Sequence, residues 1–257
     1  VEELKEILRM AEKDGNIKAV LLRIDTPGGE VTASDIMYRE LKKFREKTEK
    51  PVVAEIMSIG ASGGYYIATA ADKIYAHPTA ITGSIGVISV FPNLRGLTSK
   101  IGVDMRIIKS GENKDLGSMW RDFSPEQRRI LQGLIDEYYE RFVDIVLENR
   151  KGLSREDMKT LADGRIFSAG DAEKNDLIDG VYYLQETIEK TMQMAGIDDA
   201  SVVVYKRGGE YRENIYSRSG DAGLSDNSSQ GNVNILNLDM DRISRLNGPS
   251  FLYLWAP

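Results

Sequence analysis

No cysteine occurs among the 257 residues, and histidine occurs only once. The first absence removes disulfides, thiolate metal sites and a cysteine nucleophile, and it fits a reducing compartment as well as an envelope protein that avoids thiols. Long apolar runs are also missing. No stretch approaches the roughly 18 to 20 apolar residues of a membrane span, and no signal-peptide pattern opens the chain. Positive charge is not in excess: 40 acidic and 34 basic residues leave a net charge of −6 and a pI near 5.1. No electrostatic footprint for nucleic acid is present, so no nucleic-acid partner is expected. What remains, 41% apolar and 29% charged residues, is the composition of a folded globular chain. The sequence opens on Val1-Glu2-Glu3-Leu4, inside a helical pattern without an initiator methionine or a cap. The expectation is that further sequence precedes it.

Helical and aliphatic segments alternate. Leu4, Ile7, Leu8 and Ala11 fall at helical spacing, and Lys18 to Ile24 is a continuous aliphatic run of the kind found in buried parallel strands. Thr26-Pro27-Gly28-Gly29 reads as a turn, Ile36, Met37, Leu41 and Phe44 as a helical face, and Pro51 to Ile56 as a second buried strand. Residues 62–70 read as a helix, Lys73 to Tyr75 as a short strand and Val103 to Ile108 as another. Ser124-Pro125-Glu126-Gln127 combines a serine cap, proline at the first helical position and a capping-box glutamine. The long helix it starts should bury Ile130, Leu134, Tyr138, Phe142 and Ile145. Helices over 154–161, 169–175 and 184–195 and a strand over Ser201 to Tyr205 follow. The alternation argues for an α/β fold with a largely parallel sheet covered by helices. Ser217 to Asn232 reads as a flexible linker, and the aromatic end, Phe251 to Trp255, as a segment that docks.

Gly60-Ala61-Ser62-Gly63-Gly64 matches the G-x-S-x-G pattern, in which a strained strand-to-helix turn exposes a nucleophilic serine. That chemistry normally takes a histidine base. His77 is too close downstream and lies at the end of a short strand before Pro78, so a lysine base is indicated. Lysine can serve once desolvation or a nearby cation lowers its pKa from about 10.4. Lys109 and Lys114 are both candidates, and spacing does not choose between them. Gly29 and Gly63 each follow a predicted strand, where α/β sheets bind ligands, and their N–H groups could form an oxyanion hole. Each feature also has a plain structural reading: a tight glycine turn, a small packing serine, a solvated lysine. Neither metal-ligand spacing nor a phosphate-binding loop is present, and no cofactor is expected.

Four motifs in order, Val20 to Gly29, Ala61 to Tyr66, Thr82 to Val87 and Lys109 to Asp115, resemble those of the bacterial signal peptide peptidase A (SppA) family over roughly residues 1–195. The resemblance implies a Clp protease/crotonase-like fold of repeated ββα and βα units, with long C-terminal helices for assembly. It implies a peptidase domain over 1–200 and an extension over 201–257. It further implies a membrane-anchored serine endopeptidase that cuts remnant signal peptides, with its catalytic domain outside the cytoplasm. By position, Ser62 would be the nucleophile, Lys114 the general base, Ser84 a hydroxyl orienting the lysine, and Gly29 and Gly63 the oxyanion hole. The family's short members share each dyad between neighbours of an octamer, so homo-oligomerisation is implied, as is an N-terminal anchor absent from this chain. Asp25-Thr26 departs from the Asn-Ser more often found before Pro-Gly-Gly, a change the backbone donors should tolerate. Two other readings are a crotonase-like acyl-CoA enzyme, which would ordinarily carry a carboxylate where Ser62 stands, and a non-catalytic membrane quality-control scaffold. Tyr65 and Tyr66 read as structural.

Overall fold

The computed structural model describes residues 1–205 and 252–254. In chain order the elements are α1 (Glu2–Lys13), β1 (Val20–Thr26), β2 (Gly28–Glu30), α2 (Val31–Thr48), β3 (Val52–Ala61), α3 (Gly63–Ala68), β4 (Lys73–Ala76) and β5 (Ile81–Gly83). They continue as α4 (Arg95–Lys100), α5 (Pro125–Asn149), α6 (Arg155–Leu161), β6 (Ile166–Ser168), α7 (Ala169–Lys174), β7 (Gly180–Val181), α8 (Leu184–Met194) and β8 (Leu252–Leu254). The expected α/β class, with a largely parallel sheet and covering helices, is what the chain adopts. In the main sheet β3 pairs in parallel with β1, β4 and β5, and β4 pairs in parallel with β7, whereas β5 and β6 are antiparallel.

β3 organises this sheet because it has two halves. Val52 to Ile56 run between β1 and β4, while Ile59 to Ala61 pair with β5. Side chains alternate across the first half. Val52, Ala54 and Ile56 join the main core with Tyr65, Tyr66 and Phe142, whereas Glu55 turns toward α8 and accepts a hydrogen bond from Thr187 Oγ1 at 2.8 Å. The register of β1 slips between Ile24 and Thr26, so that Thr26 comes to lie opposite Gly60. Such a bulge re-aims the strand end, and here it directs Pro27-Gly28-Gly29 toward the end of β3.

Several expectations need correction. Gly28 and Gly29 are not a simple turn but part of β2, paired antiparallel with β8. Val103 to Ile108 and Ser201 to Tyr205 form no strand. Neither has a neighbouring strand among the described residues to complete its hydrogen bonds, and all six residues of 103–108 are exposed. The Ser124 cap of α5 is present with both hydrogen bonds of its capping box. Its buried residues, however, are Gln127, Leu131, Phe142, Val143, Ile145 and Val146, and Ile130 is exposed. Only the C-terminal half of that helix packs closely against the core, so the stripe does not run its full length. The predicted linker over 217–232 lies outside the described residues.

Glu55 is a buried carboxyl with one oxygen, Oε1, that has no hydrogen-bond partner. Burial pushes it up to about 7, opposed by the Thr187 hydrogen bond and reinforced by the charge of Glu186. A carboxyl raised in the folded state favours folding while protonated. That contribution is complete below the unfolded value of 4.5, is lost as pH rises, and is exhausted above about 7. Glu55→Gln keeps an acceptor for Thr187 without the titration. At pH 8 the variant should be the more stable protein by up to about 3 kcal/mol, and at pH 4 the gap should close, as read by chemical denaturation at both pH values.

Candidate active site

Ser62 sits between the end of β3 and the start of α3, with φ 50° and ψ −114°. Left-handed backbone at a non-glycine residue costs on the order of 1–3 kcal/mol and persists only where its surroundings enforce it. The Ser62 N–H donates to the Gly83 carbonyl of β5 at 2.8 Å, and its own carbonyl accepts from the Tyr66 N–H at 2.8 Å. Tyr65 and Tyr66 then anchor α3 from inside the core. Tyr65 Oη donates to the Leu177 carbonyl at 2.7 Å and Tyr66 Oη to Asp35 at 2.6 Å. The strained strand-to-helix turn is the one the motif predicts, but the serine it was expected to expose is buried. The Ser62 side chain is 1% exposed, and Oγ has no hydrogen-bond partner among the described residues.

Two of the other expected residues converge on it. A Cβ placed on Gly63 would lie 3.1 Å from the Gly29 nitrogen, 3.2 Å from the Tyr253 carbonyl oxygen and 2.5 Å from Ser34 Oγ. Gly28, at φ 114°, passes so near the same carbonyl that a Cβ there would stand 2.0 Å from its oxygen. Only glycine allows backbone to approach backbone this closely. Gly28, Gly29 and Gly63, the last next to Ser62 in sequence, therefore crowd around one peptide carbonyl. Ser84 is the next neighbour. It is buried, has φ 49°, follows the Gly83 whose carbonyl holds Ser62, and donates its N–H to the Arg165 carbonyl at 2.7 Å.

The carbonyl belongs to β8, whose role the sequence did not reveal beyond an aromatic end that docks. Leu252, Tyr253 and Leu254 lie opposite Glu30, Gly29 and Gly28. Tyr253 is buried, stacks on Tyr66 at 5.0 Å and packs against Phe142 at 4.8 Å, and its hydroxyl donates to the Tyr138 carbonyl at 2.9 Å. Asp35 lies behind this aromatic pocket, where it accepts from Tyr66 and from Arg141 Nε at 2.9 Å. Sequence reasoning also missed Ser34 and Asp35, which look like ordinary helix residues until α2 is packed against α3.

Lys114 is not part of this cluster. It is exposed, on a loop that Asn113–Glu126 and Gln127–Glu112 hydrogen bonds tie to α5, and nothing in the described residues links it to Ser62. Lys109 is likewise engaged elsewhere, with Asp115 and Glu112. His77 bonds Thr79 through Nδ1 at 2.9 Å and meets the Tyr183 ring edge-on, so it is committed away from the serine. Among the described residues, the chain thus sets Ser62 beside the Gly29 and Gly63 backbone, and none of Lys109, Lys114 and His77 is linked to it.

Comparison with known proteins gives this arrangement a family context. The profile of Peptidase family S49 matches residues 44–198. A candidate protease of Methanocaldococcus jannaschii is 39% identical over 194 residues, covering 76% of this chain and 61% of its own length. A candidate signal peptide peptidase SppA of Enterococcus faecium is 35% identical over 199 residues, covering 77% of this chain and 57% of its own. The chloroplastic serine protease SPPA of Arabidopsis thaliana is 36% identical over 197 residues, covering 76% of this chain and 29% of its own. The chain therefore spans less than two thirds of the length of each of these three relatives.

If the space between Gly29 and Gly63 receives developing negative charge, Gly63→Ala should obstruct it. Acylation of Ser62 by a fluorophosphonate probe should slow by roughly a hundredfold or more, while far-ultraviolet circular dichroism stays that of the parent protein.

Proposed function

The chain belongs to peptidase family S49, and from that premise we propose that it is a serine endopeptidase in which Ser62 attacks and Lys114 of a neighbouring copy is the base. The observation that carries this reading is the buried Ser62 Oγ, unpartnered and set beside the Gly29 and Gly63 backbone, with an extended strand laid along Gly28–Glu30. A substrate peptide would take the same path, adding a strand by main-chain hydrogen bonds. The name of the Arabidopsis relative supports the serine type.

In this mechanism Ser62 Oγ adds to the scissile carbonyl as its proton passes to the Lys114 amine. The resulting oxyanion is held by the Gly29 and Gly63 N–H groups. The intermediate collapses to an acyl-serine when the lysine returns the proton to the departing amine, and water activated by the same lysine releases the acid. Ser84, one residue beyond the Gly83 carbonyl that fixes Ser62, is the hydroxyl that would orient the incoming amine.

A second copy supplies what one chain lacks. Lys114 is exposed, and the segment before it leaves Val90, Leu97, Ile101 and Ile108 more than half exposed, Leu97 least at 56%. An apolar face of this extent favours association. An octamer with shared sites is the assembly proposed. The substrates in this reading are apolar peptides, remnant signal peptides among them, which the name of the Enterococcus relative supports, and the enzyme works at the outer face of the cell membrane. None of the described helices is long and apolar enough to cross a membrane, so the anchoring segment of this reading is not one of them.

Complementation tests the shared site. Ser62→Ala and Lys114→Ala should each abolish hydrolysis of a quenched apolar peptide. Dissociating the two inactive proteins and reassembling them together should restore turnover to about a quarter of the parent level if subunits mix at random in a closed ring. A mixture that stays inactive while assembling normally would assign the base to the serine's own chain.

A further inference from the structure

Lys109 and Lys114 occupy the same loop, and their surroundings give them different work. Lys109 is 23% exposed, and its Nζ meets the Glu112 carbonyl at 2.8 Å, Asp115 Oδ1 at 3.1 Å and Glu112 Oε2 at 3.4 Å. An ammonium group has three N–H donors, and these acceptors occupy them. Asp115, 10% exposed, also receives the fork of Arg121, with Nε on Oδ2 at 2.7 Å and Nη2 on Oδ1 at 2.6 Å. The remaining arm of Arg121 reaches Gln127 Oε1 at 2.9 Å. Gln127 is 2% exposed and closes the capping box of α5, and its Nε2 donates back to the Glu112 carbonyl at 3.4 Å. Lys109, Asp115, Arg121 and Gln127 therefore form one connected path from both ends of the loop to the first turn of a 25-residue helix.

Between the braced ends, the loop carries Ser110-Gly111-Glu112-Asn113-Lys114, a composition with little intrinsic rigidity. Successive turns close it: the Lys114 N–H donates to the Gly111 carbonyl at 3.1 Å, Leu116 to Asn113 at 3.1 Å and Ser118 to Asp115 at 3.0 Å. Asn113 adds a contact to Glu126 at 3.4 Å. The Lys114 side chain is exposed and makes no hydrogen bond or ion pair among the described residues.

We infer that Lys109, Asp115 and Arg121 are positioning residues, an ionic brace that holds the Lys114 loop rigidly on α5 so that its amine is presented to the serine of another copy. The inference rests on the Ser62–Lys114 reading above. Its physical basis is that partly buried ion clusters contribute little net stability for their desolvation cost, whereas a displacement of about 1 Å in a reacting group can cost a hundredfold in rate. The Arg121 fork, with Lys109 behind it, holds the Asp115 carboxyl well below the usual carboxylate range, so the brace stays ionised wherever such an enzyme works.

The test compares Lys109→Arg, Asp115→Asn, Asp115→Glu and Lys114→Ala in the full chain, with kcat and KM for a quenched apolar peptide and the assembled mass from light scattering. Lys109→Arg keeps the cation but removes any capacity to act as a base, so it should retain most of kcat. Asp115→Asn should lower kcat by roughly tenfold to a hundredfold with KM and assembly unchanged, and Asp115→Glu should recover much of the loss. Wild-type kcat in Asp115→Asn, with Lys114→Ala inactive, would overturn the brace and leave the dyad standing. Turnover that survives Lys114→Ala would instead remove the dyad on which the inference rests. If Asp115→Asn does not assemble, Arg121→Lys, which keeps the charge and loses the fork, should show the same fall in kcat at constant KM, and normal kcat there would overturn the brace.

Discussion

The site depends on one strained residue. Ser62 holds a left-handed backbone that an ordinary side chain avoids, and the rest of the sheet is arranged to enforce it. β3 must be long enough for its first half to sit between β1 and β4 and its second half to meet β5, because only then is the Gly83 carbonyl available to the Ser62 N–H. The slip in β1 is the counterpart on the other side. It brings Thr26 opposite Gly60 and carries the next glycines to within reach of Gly63. Ser62 and the Gly29 and Gly63 backbone are thus set by pairing register rather than by flexible side chains, which is the preorganisation that the proposed charge stabilisation requires.

The aromatic core performs a second task at this place. Tyr66 packs edge-on against Tyr38, contacts Phe142, stacks on Tyr253 and ties its hydroxyl to Asp35. The residue that immobilises α3 beneath the serine is therefore also a wall of the pocket beside it. Burial raises the Tyr66 and Tyr253 hydroxyls well above the ordinary tyrosine range, so both remain neutral donors. A bulky ring entering this pocket meets apolar faces along its length and an acceptor, the Tyr138 carbonyl, at its end. The wall of this pocket and the stabilising core share atoms, and neither can be altered alone.

Much of this was legible in the sequence because local physics and tertiary structure agree there. The aliphatic run over β1, the apolar face of α2, the Ser124 capping box and the serine elbow are all visible one segment at a time. The misreadings share a different cause. Val103 to Ile108 has the composition of a strand but no partner edge, and Ile130 has the spacing of a core residue on the half of α5 that extends past the core. Gly28 and Gly29 read as a turn because the strand that pairs with them lies more than 200 residues later. Burial and pairing are properties of the neighbourhood, and periodicity reports them only when the neighbourhood is local. The choice between Lys109 and Lys114 was closed to spacing for the same reason. Which amine is occupied depends on how the loop itself folds, with Glu112 and Asp115 turned onto Lys109.

The unpartnered Ser62 hydroxyl joins the fold to the proposed assembly. Burying a hydroxyl without a hydrogen bond costs about 1 to 3 kcal/mol, and Ser62 bears that cost in addition to its backbone strain. A single chain gains nothing from either. In the proposed octamer both acquire a purpose, because the amine that would satisfy Oγ arrives with the exposed loop of a neighbour, and the apolar residues flanking that loop are covered in the same contact. Catalytic competence and burial of this apolar surface would then be reached in one event. An isolated subunit would hold a formed oxyanion site and a nucleophile without a base, and so would be unable to cleave peptides before its neighbours are in place. Dividing the dyad between copies would in this way couple proteolysis to assembly through the geometry of a single proton transfer.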